Sequence, residues 1–361
     1  MRILIANPFG IGDVLFSTPL VNNLKAAYPD SYIGYICNIR AKDILYGNPQ
    51  INKIFVFEKD EYRDLWQKSK FQCIKKFISF LVKIRKEKFN LVVDLSLSQQ
   101  YNFFLWLIGI KKRIGYNYRK RGRLLTHKID INGYNDKPVA DYYLDLLKLL
   151  DIKPTLFNLR MDVLSGDKSW ADEFFKNLSF KQEDLIIGII PAGGASWGRD
   201  FSYRHWPWEN YAKLADRLIA ELGAKIIIFG ASSEETICRR LQNAMAQKAI
   251  NVCGQTSLKQ FAALLSLCNL AVCNDGGPLH VAVSQGVMTV SVFGPVDEKV
   301  YGPYPPGPRH IVVTKDMDCR PCYKKFKLPG CLRERQCIRD ISVEEVLKII
   351  KDNLKELKNA V

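Results

Sequence analysis

Two stretches of this chain open with the same pattern, which is a short apolar strand, a glycine-containing turn and then a helix. The first begins with the strand RILIA at 2–6, and the second begins with LIIGII at 185–190. After each opening, further apolar runs of strand length alternate with helical patterns. Such alternation is typical of parallel sheets that carry helices on both faces and have right-handed crossovers. The sequence therefore predicts an α/β chain with two Rossmann-like, doubly wound parallel-sheet domains.

Chain length and a polar stretch indicate the domain boundaries. A chain of 361 residues is long enough for two domains that each bury a core. A polar stretch at 162–182 separates the two patterns, so we predict an N-terminal domain at 1–165 and a C-terminal domain at 166–340. We predict a final helix in residues 341–361, which begins with a capping-box sequence.

The chain is basic, and most of the excess charge lies in the first predicted domain. Lys and Arg outnumber Asp and Glu by 53 to 37, which gives a formal net charge of +16. Residues 1–165 hold 27 of the basic and 15 of the acidic residues, so they account for +12 of that charge. This asymmetry favours an anionic partner for the first domain. A nucleic acid is one such partner, although no nucleic-acid-binding motif accompanies the charge.

The start of the chain does not have the pattern of a signal peptide. Asn7, Pro8 and Gly10 interrupt the apolar run that follows Arg2. The longest uninterrupted apolar run, at 103–110, is far shorter than the roughly 20 residues that cross a bilayer. We therefore expect a cytoplasmic protein that does not span a membrane.

Four of the ten cysteines are grouped near the C-terminus. Cys319, Cys322, Cys331 and Cys337 have the spacing C-x2-C-x8-C-x5-C. A disulfide framework is not expected in a cytoplasmic chain, because thiols are kept reduced there. The spacing leaves two interpretations open, a structural metal held by thiolates or a loop with free thiols.

The first glycine-containing turn, at 7–13, ends in an acidic residue at the start of a helix. Ligands of doubly wound sheets bind beyond the carboxyl ends of the strands, where this turn is expected to lie. Its glycine spacing does not match the dinucleotide fingerprint G-x-G-x-x-G, so binding of NAD is disfavoured. Asp13 is either a helix cap or a general base that takes a proton from an acceptor hydroxyl.

A second constellation, NDGGPLH at 274–280, follows another apolar strand. Glycines permit close approach of a ligand, and the amides and dipole of a helix that begins at Pro278 favour phosphate oxygens. The arrangement suits a diphosphate. The alternative is a tight turn in which Asp275 caps the helix and His280 packs against the sheet.

Two further strand ends carry candidate donor contacts. The loop after 185–190 contains Gly193 and Ser196 and leads to Arg204, whose guanidinium is suited to neutralising a leaving diphosphate. The alternative is that Arg204 is an ordinary surface arginine. Glu234 follows a later strand, where a carboxylate is able to bind a ribose hydroxyl or to cap a helix.

Taken in order, four motifs of this sequence resemble glycosyltransferase family 9, the heptosyltransferases of lipopolysaccharide core assembly. They are G-x-G-D-x-L at 10–15, R-I-G-Y at 113–116, R-H-W-P at 204–207 and N-D-G-G-P-L-H at 274–280. The resemblance covers nearly the whole chain. It departs from the family's usual pattern at Arg204, where Lys is frequent, and at Gly276, where Thr or Ser is frequent.

The resemblance implies an inverting glycosyltransferase with a glycosyltransferase B-type fold, in which two Rossmann-like domains face a cleft. It places the acceptor on the N-terminal domain and the nucleotide-sugar on the C-terminal domain, with the final helix returning to the first domain. The family's catalytic aspartate falls on Asp13, and its ribose contact falls within 230–235. Its donor diphosphate contacts fall on Asp275, Gly276, Gly277 and His280.

No D-x-D carboxylate pair stands out at the end of a predicted strand, so we expect catalysis without a divalent metal and without a cofactor. Arg204 and helix N-termini would take the place of a metal.

The implied reaction moves a heptose or a related sugar from an ADP-sugar to a lipopolysaccharide inner-core or lipid A-linked acceptor. That acceptor is anionic and is exposed on the cytoplasmic face of the inner membrane, which suits the basic first domain. Candidate acceptor contacts are Gly12, Arg63, Arg113, Arg119 and Arg121.

A helical stretch at 65–89 mixes aromatic residues with eight Lys and Arg. It indicates either peripheral contact with the inner membrane surface or an ordinary amphipathic helix. Two alternative functions stay open beside the enzyme, namely a basic nucleic-acid-binding protein and a non-catalytic member of the family.

Overall fold

Two parallel sheets of six strands each form the framework of the protein. The computed structural model describes residues 1–359, apart from 179, 182 and 194–201, and describes only the backbone of 355–359. Every strand pairing within both sheets is parallel, and helices separate consecutive strands along most of the chain. The predicted α/β class with two Rossmann-like domains is confirmed.

The chain divides into two units, Met1–Asp162 and Val163–Val361, and each unit contains one sheet. This division lies close to the domain boundary that the polar stretch predicts. It leaves the final helix in the second unit.

The first sheet is built from strands before Asp162. They are β1 (Arg2–Ala6), β2 (Tyr32–Cys37), β3 (Lys53–Val56), β4 (Leu91–Asp94), β5 (Lys112–Tyr116) and β6 (His127–Ile129). The helices of this unit are α1 (Ile11–Phe16), α2 (Thr18–Ala27), α3 (Lys42–Leu45), α4 (Lys59–Lys68), α5 (Lys70–Lys86), α6 (Gln99–Leu107) and α7 (Val139–Asp145). The strand order is β3-β2-β1-β4-β5-β6.

The second unit opens with α8 (Ser165–Asn177), and its sheet repeats the same scheme. Its strands are β7 (Ile186–Ile190), β8 (Lys225–Ile228), β9 (Ile250–Asn251), β10 (Leu270–Asn274), β11 (Met288–Phe293) and β12 (His310–Thr314). The remaining helices are α9 (Trp208–Leu222), α10 (Glu235–Ala244), α11 (Leu258–Ser266), α12 (Gly277–Ser284), α13 (Glu298–Tyr301), α14 (Gln336–Arg339) and α15 (Val343–Asn359). The strand order is β12-β11-β10-β7-β8-β9.

The central strands are apolar because both of their faces are covered. All residues of β4, β7 and β10 are buried, and only Arg2 of β1 is partly exposed. Burial on both faces is what a parallel sheet with helices on each side requires. The continuous apolar runs RILIA and LIIGII therefore mark the middle of each sheet.

Each sheet has one position where the strand order reverses direction. In the first sheet it lies between β1 and β4, where Ala6 pairs with Asp94. In the second it lies between β7 and β10, where Ile190 pairs with Cys273. The loops that follow these strands diverge, and the crevice between them is where doubly wound sheets bind ligands.

Two predicted helices are interrupted by serine. Ser17 separates α1 from α2 where the sequence predicts one helix after the first turn, and Ser69 separates α4 from α5 within the helical stretch at 65–89. The Ser69 hydroxyl accepts a hydrogen bond from the amide of Gln72, which caps the new helix. A serine that caps a helix can end one helical pattern and begin the next without breaking the apolar spacing.

The final helix, α15, packs against α9 of the second unit. Its Val346, Leu347 and Ile350 are buried in the second unit's core cluster, and Glu345 forms the predicted capping box with Ser342. Apolar residues on its inward face account for this packing, because they meet the core directly beside α9. The return of this helix to the first domain, which the resemblance implies, stays a prediction. In the described part of the chain, no helix combines the length and apolar character needed to cross a bilayer.

Candidate active site

Asn274, the last residue of β10, joins the two loops at the reversal point of the second sheet. Its side-chain oxygen accepts a hydrogen bond from the Trp206 amide at 2.8 Å, and its side-chain nitrogen donates to the Pro191 carbonyl at 2.9 Å. Asn274 is buried, so both bonds are protected from water. The amide side chain fixes the loop after β7 against the end of β10.

Arg204 and Asp275 form a buried ion pair beside this junction. Nη2 of the guanidinium contacts Oδ2 of the carboxylate, and the two side chains are 8% and 1% exposed. Burial raises the pKa of Asp275, and the Arg204 cation opposes that rise. Arg204 is therefore not an ordinary surface arginine, and each charge depends on the other.

His280 lies in α12, close enough to Arg204 to sense its charge. Burial lowers the pKa of His280 to about 3, and the Arg204 cation also lowers it. The imidazole is therefore neutral at physiological pH and adds no charge to this group. Arg204 supplies the positive charge of this group.

The N-terminus of α12 has no side-chain cap among the described residues. Gly276 occupies the N-cap position, and the helix begins at Gly277 with Pro278 in the first turn. The alternative interpretation of Asp275 as the helix cap is therefore wrong, since its carboxylate pairs with Arg204 instead. Backbone amides at the start of a helix favour an anion, and the two glycines leave space for one.

Glu234 reaches across to the glycine loop after β7. Its Oε1 accepts a hydrogen bond from the Gly193 amide and its Oε2 accepts one from the Ala231 amide, both at 2.8 Å. His205 forms a hydrogen bond to the Gly193 carbonyl at 2.7 Å. Gly193 and Glu234 are thus brought together at the carboxyl edge of the second sheet, whereas Ser196 lies outside the described residues.

Asp13 lies in the first turn of α1, just beyond the end of β1. The N-cap of this helix is Gly10, so Asp13 is not the N-cap residue. The buried Asn7 side chain donates a hydrogen bond to the Asp13 carbonyl at 3.1 Å and holds the turn closed. The carboxylate is therefore positioned by its helix at the reversal point of the first sheet.

Three buried tyrosines lie near enough to the Asp13 carboxylate for its charge to affect them. Burial raises the pKa of Tyr35, Tyr134 and Tyr143, and the Asp13 charge adds to the rise in each. All three rings are at most 5% exposed. The three tyrosines therefore stay protonated near Asp13.

Asp94 was not among the sequence-based candidates, although it ends β4 at the same reversal point. Its side chain is buried, and burial raises its pKa to about 6, while hydrogen bonds from Ser96 act in the opposite direction. The Ser96 amide donates to Asp94 Oδ1 at 2.9 Å. Its place at the end of an apolar strand, at the ligand-binding edge of the sheet, makes it a candidate, and its burial distinguishes it from other strand-end carboxylates.

Three of the candidate acceptor contacts do not share a common environment. Gly12 lies partly buried in the first turn of α1. Arg63 is exposed on α4 and pairs with Asp60 at 3.2 Å. Arg113 of β5 donates from Nε to the Leu124 carbonyl at 2.6 Å, and Nη1 donates to two further carbonyls. The Arg113 guanidinium therefore holds its own loop in place.

Arg119 and Arg121 lie against one aromatic ring. Their guanidinium carbons are 5.0 and 5.7 Å from the ring centroid of Tyr118. Both arginines are exposed while Tyr118 is buried. The structure thus brings these two of the four candidate arginines together.

The four grouped cysteines line one pocket of the second unit together with Arg333 and Arg335. All four thiols are free, with Cys319 and Cys331 exposed and Cys337 buried. Among the described residues, no group of three or more His, Cys, Asp or Glu side chains is arranged to hold a metal ion. The structure leaves both interpretations of the cysteine spacing open.

Comparison with known proteins identifies the family of this chain. The family model described as glycosyltransferase family 9 (heptosyltransferase) matches residues 77–332. Lipooligosaccharide heptosyltransferase 2 of Campylobacter jejuni is 25% identical over 360 residues, which cover 98% of this chain and 99% of that protein.

Solved structures show the same likeness. The glycosyl transferase family 9 structure from Veillonella parvula matches with a TM-score of 0.80 and 26% identity, covering 98% of this chain and 97% of that one. The Escherichia coli ADP-heptose lps heptosyltransferase II structure matches with a TM-score of 0.77 and 22% identity, covering 99% and 100%.

Proposed function

The chain belongs to glycosyltransferase family 9, the heptosyltransferases, and from that premise we propose that it transfers a heptose from ADP-heptose to an inner-core or lipid A-linked acceptor of lipopolysaccharide. The names of two relatives support the donor and the acceptor of this proposal. One is named for ADP-heptose, and both are named for lipopolysaccharide or lipooligosaccharide. The observation that carries it in this chain is the buried Arg204 and Asp275 pair beside the uncapped N-terminus of α12.

We propose that the donor diphosphate binds at this N-terminus. Amides in the first turn of α12 would donate to the diphosphate oxygens, and the glycines at 276 and 277 allow these oxygens to approach the backbone. Asp275 holds the Arg204 guanidinium in place, and a guanidinium has enough N–H groups to bind a carboxylate and a phosphate oxygen together. Glu234 and Gly193 would bind the nucleoside side of the donor.

We propose Asp13 as the general base. The acceptor hydroxyl oxygen attacks the anomeric carbon, the bond from that carbon to the diphosphate breaks, and Asp13 takes the hydroxyl proton. Displacement in line with the leaving group inverts the anomeric centre. Arg204 and the α12 amides balance the charge that develops on ADP, so the step needs no divalent metal.

The basic first unit supports an anionic acceptor. Its net charge of +12 attracts the phosphates and carboxylates of an inner-core oligosaccharide. Among the candidate arginines, Arg119 and Arg121 are the two exposed guanidinium groups that lie against the same ring, that of Tyr118. We therefore place the reaction at the cytoplasmic face of the inner membrane. The same arginines were the basis for the nucleic-acid alternative, which the family assignment disfavours.

The test is acceptor-dependent release of ADP from ADP-heptose in the presence of delipidated core oligosaccharide, with UDP- and GDP-sugars for comparison. Asp13→Asn should lower kcat at least 100-fold and leave donor binding within about twofold, because removing a general base costs about 10² to 10⁴ in rate. Asp30→Asn, which changes an exposed carboxylate in the same unit, is the matched control.

Full ADP release by Asp13→Asn would reject the base assignment. Release from a UDP- or GDP-sugar alone would reject the donor, and donor binding without transfer to any acceptor would support the non-catalytic alternative.

A further inference from the structure

Helices α5 and α6 expose an unusual amount of apolar surface. Of the fifteen large apolar side chains that are exposed in the described part of the chain, seven lie on these two helices. We call this set the apolar ridge, and its members are Phe71, Ile74, Ile78, Val82, Phe103, Trp106 and Leu107. Large apolar residues scattered singly over a surface are common, but a contiguous set marks an interaction site.

The ridge is a second apolar face of α5, separate from the face that packs on the sheet. Cys73, Phe80 and Ile84 are buried toward the core. Phe71 is 76% exposed, and residues 74, 78 and 82 follow it at helical spacing on one side of the helix. Because the core already has its own row of residues, packing within the first unit does not account for the ridge.

The two helices are neighbours, so their exposed residues form one surface. The rings of Phe77 on α5 and Phe104 on α6 meet edge to face with centroids 6.0 Å apart. On α6, Phe103 and Trp106 lie next to each other with ring centroids 5.9 Å apart. Aromatic side chains of this kind favour the boundary between water and lipid.

The charged side chains of α5 and α6 themselves are all of one sign, although Lys76 of α5 pairs with Glu61 of α4. Helix α5 contains six Lys and Arg, and neither α5 nor α6 contains Asp or Glu. Lys75, Arg85 and Lys86 are exposed, and within the described residues no acidic side chain forms an ion pair with them. An apolar face bordered by unpaired cations matches an anionic membrane surface.

We infer that the apolar ridge and its flanking cations dock the protein on an anionic lipid bilayer, with the ridge in the headgroup boundary and the cations at the lipid phosphates. This inference deepens the proposed function and rests on it for the choice of a membrane. A second copy of the chain fits less well, because a symmetric contact would bring two sets of cations together.

The test measures co-sedimentation of the full chain with vesicles of phosphatidylethanolamine and phosphatidylglycerol, compared with vesicles of phosphatidylcholine alone. The protein should bind the anionic vesicles at least tenfold more tightly. The double variant Phe71→Ser with Ile78→Ser should lose at least tenfold in vesicle affinity, and Lys75→Glu with Lys86→Glu should lose the preference for anionic lipid. Phe157→Ser, which changes an exposed aromatic residue elsewhere in the first unit, should bind as the wild type does.

A second readout separates docking from catalysis. The ridge variants should release ADP with delipidated acceptor within twofold of wild type, because that acceptor needs no bilayer. The inference is overturned if the ridge variants still bind vesicles or if the wild type does not prefer anionic vesicles. It is also overturned if the wild type is a dimer and the ridge variants are monomers. Vesicle binding by a protein that releases no ADP from any donor supports the docking surface and rejects the proposed function.

Discussion

Arg204 and Asp275 carry opposite charges that water does not reach, so each should be costly to remove alone. Arg204→Met leaves a buried carboxylate without its partner, and we expect it to lower the free energy of unfolding by about 3 to 5 kcal/mol. The double variant Arg204→Met with Asp275→Asn should recover most of that loss, because no buried charge remains. Neither variant should transfer sugar at more than about 1% of the wild-type rate.

Urea titration and ADP release, measured on the wild type, Arg204→Met and the double variant, check this prediction. Equal stability of the single and double variants would contradict the ion-pair account. Activity in the double variant would remove Arg204 from the donor site.

Asp94 allows a prediction about pH. Its pKa is raised to about 6 by burial, so the folded protein holds a proton that the unfolded chain, with a pKa near 4, has lost. Between about pH 4 and 6 the folded state binds more protons, and this group therefore lowers stability as the pH rises. Asp94→Asn does not titrate, so relative to wild type it should gain roughly 2 to 3 kcal/mol between pH 4 and pH 7.

The free energy of unfolding at those two pH values, measured for wild type, Asp94→Asn and the exposed-site control Asp30→Asn, provides the check. A difference between wild type and Asp94→Asn that is the same at both pH values would show that Asp94 ionises normally.

At the scale of elements, the junction between β7 and β10 should affect the KM for the donor in addition to the stability of the fold. Asn274→Ala removes two buried hydrogen bonds and should cost about 2 to 3 kcal/mol of stability, with at least a fivefold rise in the KM for the donor. Asn269→Ala removes the hydrogen bond that the Ile186 amide donates to the Asn269 side chain, at the amino-terminal end of the same two strands. This control should lose stability without a change in KM, and an equal rise in both variants would mean that the junction does not shape the site.

Elements could be predicted from the sequence where apolar runs mark buried strands. RILIA, LVVDL, LIIGII and LAVC were identified as strands because both faces of β1, β4, β7 and β10 are covered. The outer strands β5, β6 and β12 were missed, since their sequences KRIGY, HKI and HIVVT include charged or partly exposed residues. Charged and partly exposed residues interrupt the apolar run in these strands and so weaken the pattern.

The candidate site shows a similar limit. Glycines and the helix start at 276–278 could be identified from sequence, because backbone geometry restricts which residues fit there. The pairing of Arg204 with Asp275 could not be identified from sequence, because the two residues are 71 positions apart and only the folded chain brings them together. Asp94 was missed because an aspartate at a strand end is common, and only its burial distinguishes it.

For the whole molecule, the charge difference between the units predicts a difference in salt dependence. Residues of the first unit contribute +12 and those of the second unit +4. Raising NaCl from about 50 to 300 mM should increase the KM for core oligosaccharide roughly fivefold or more, because exposed charges are screened. The KM for the donor should change by about twofold or less, because its cation is buried. Equal salt dependence for both substrates would contradict the assignment of the acceptor to the basic unit.

The six strands of each sheet come from one uninterrupted stretch of chain, and the two stretches meet once, between Asp162 and Val163. A single exchange of genetic material at that point would replace one complete half and leave the hydrogen bonding of the other sheet untouched. Under the proposed assignment, such an exchange would carry the choice of donor sugar separately from the choice of acceptor. Inheritance of the two specificities can therefore follow different histories within one gene.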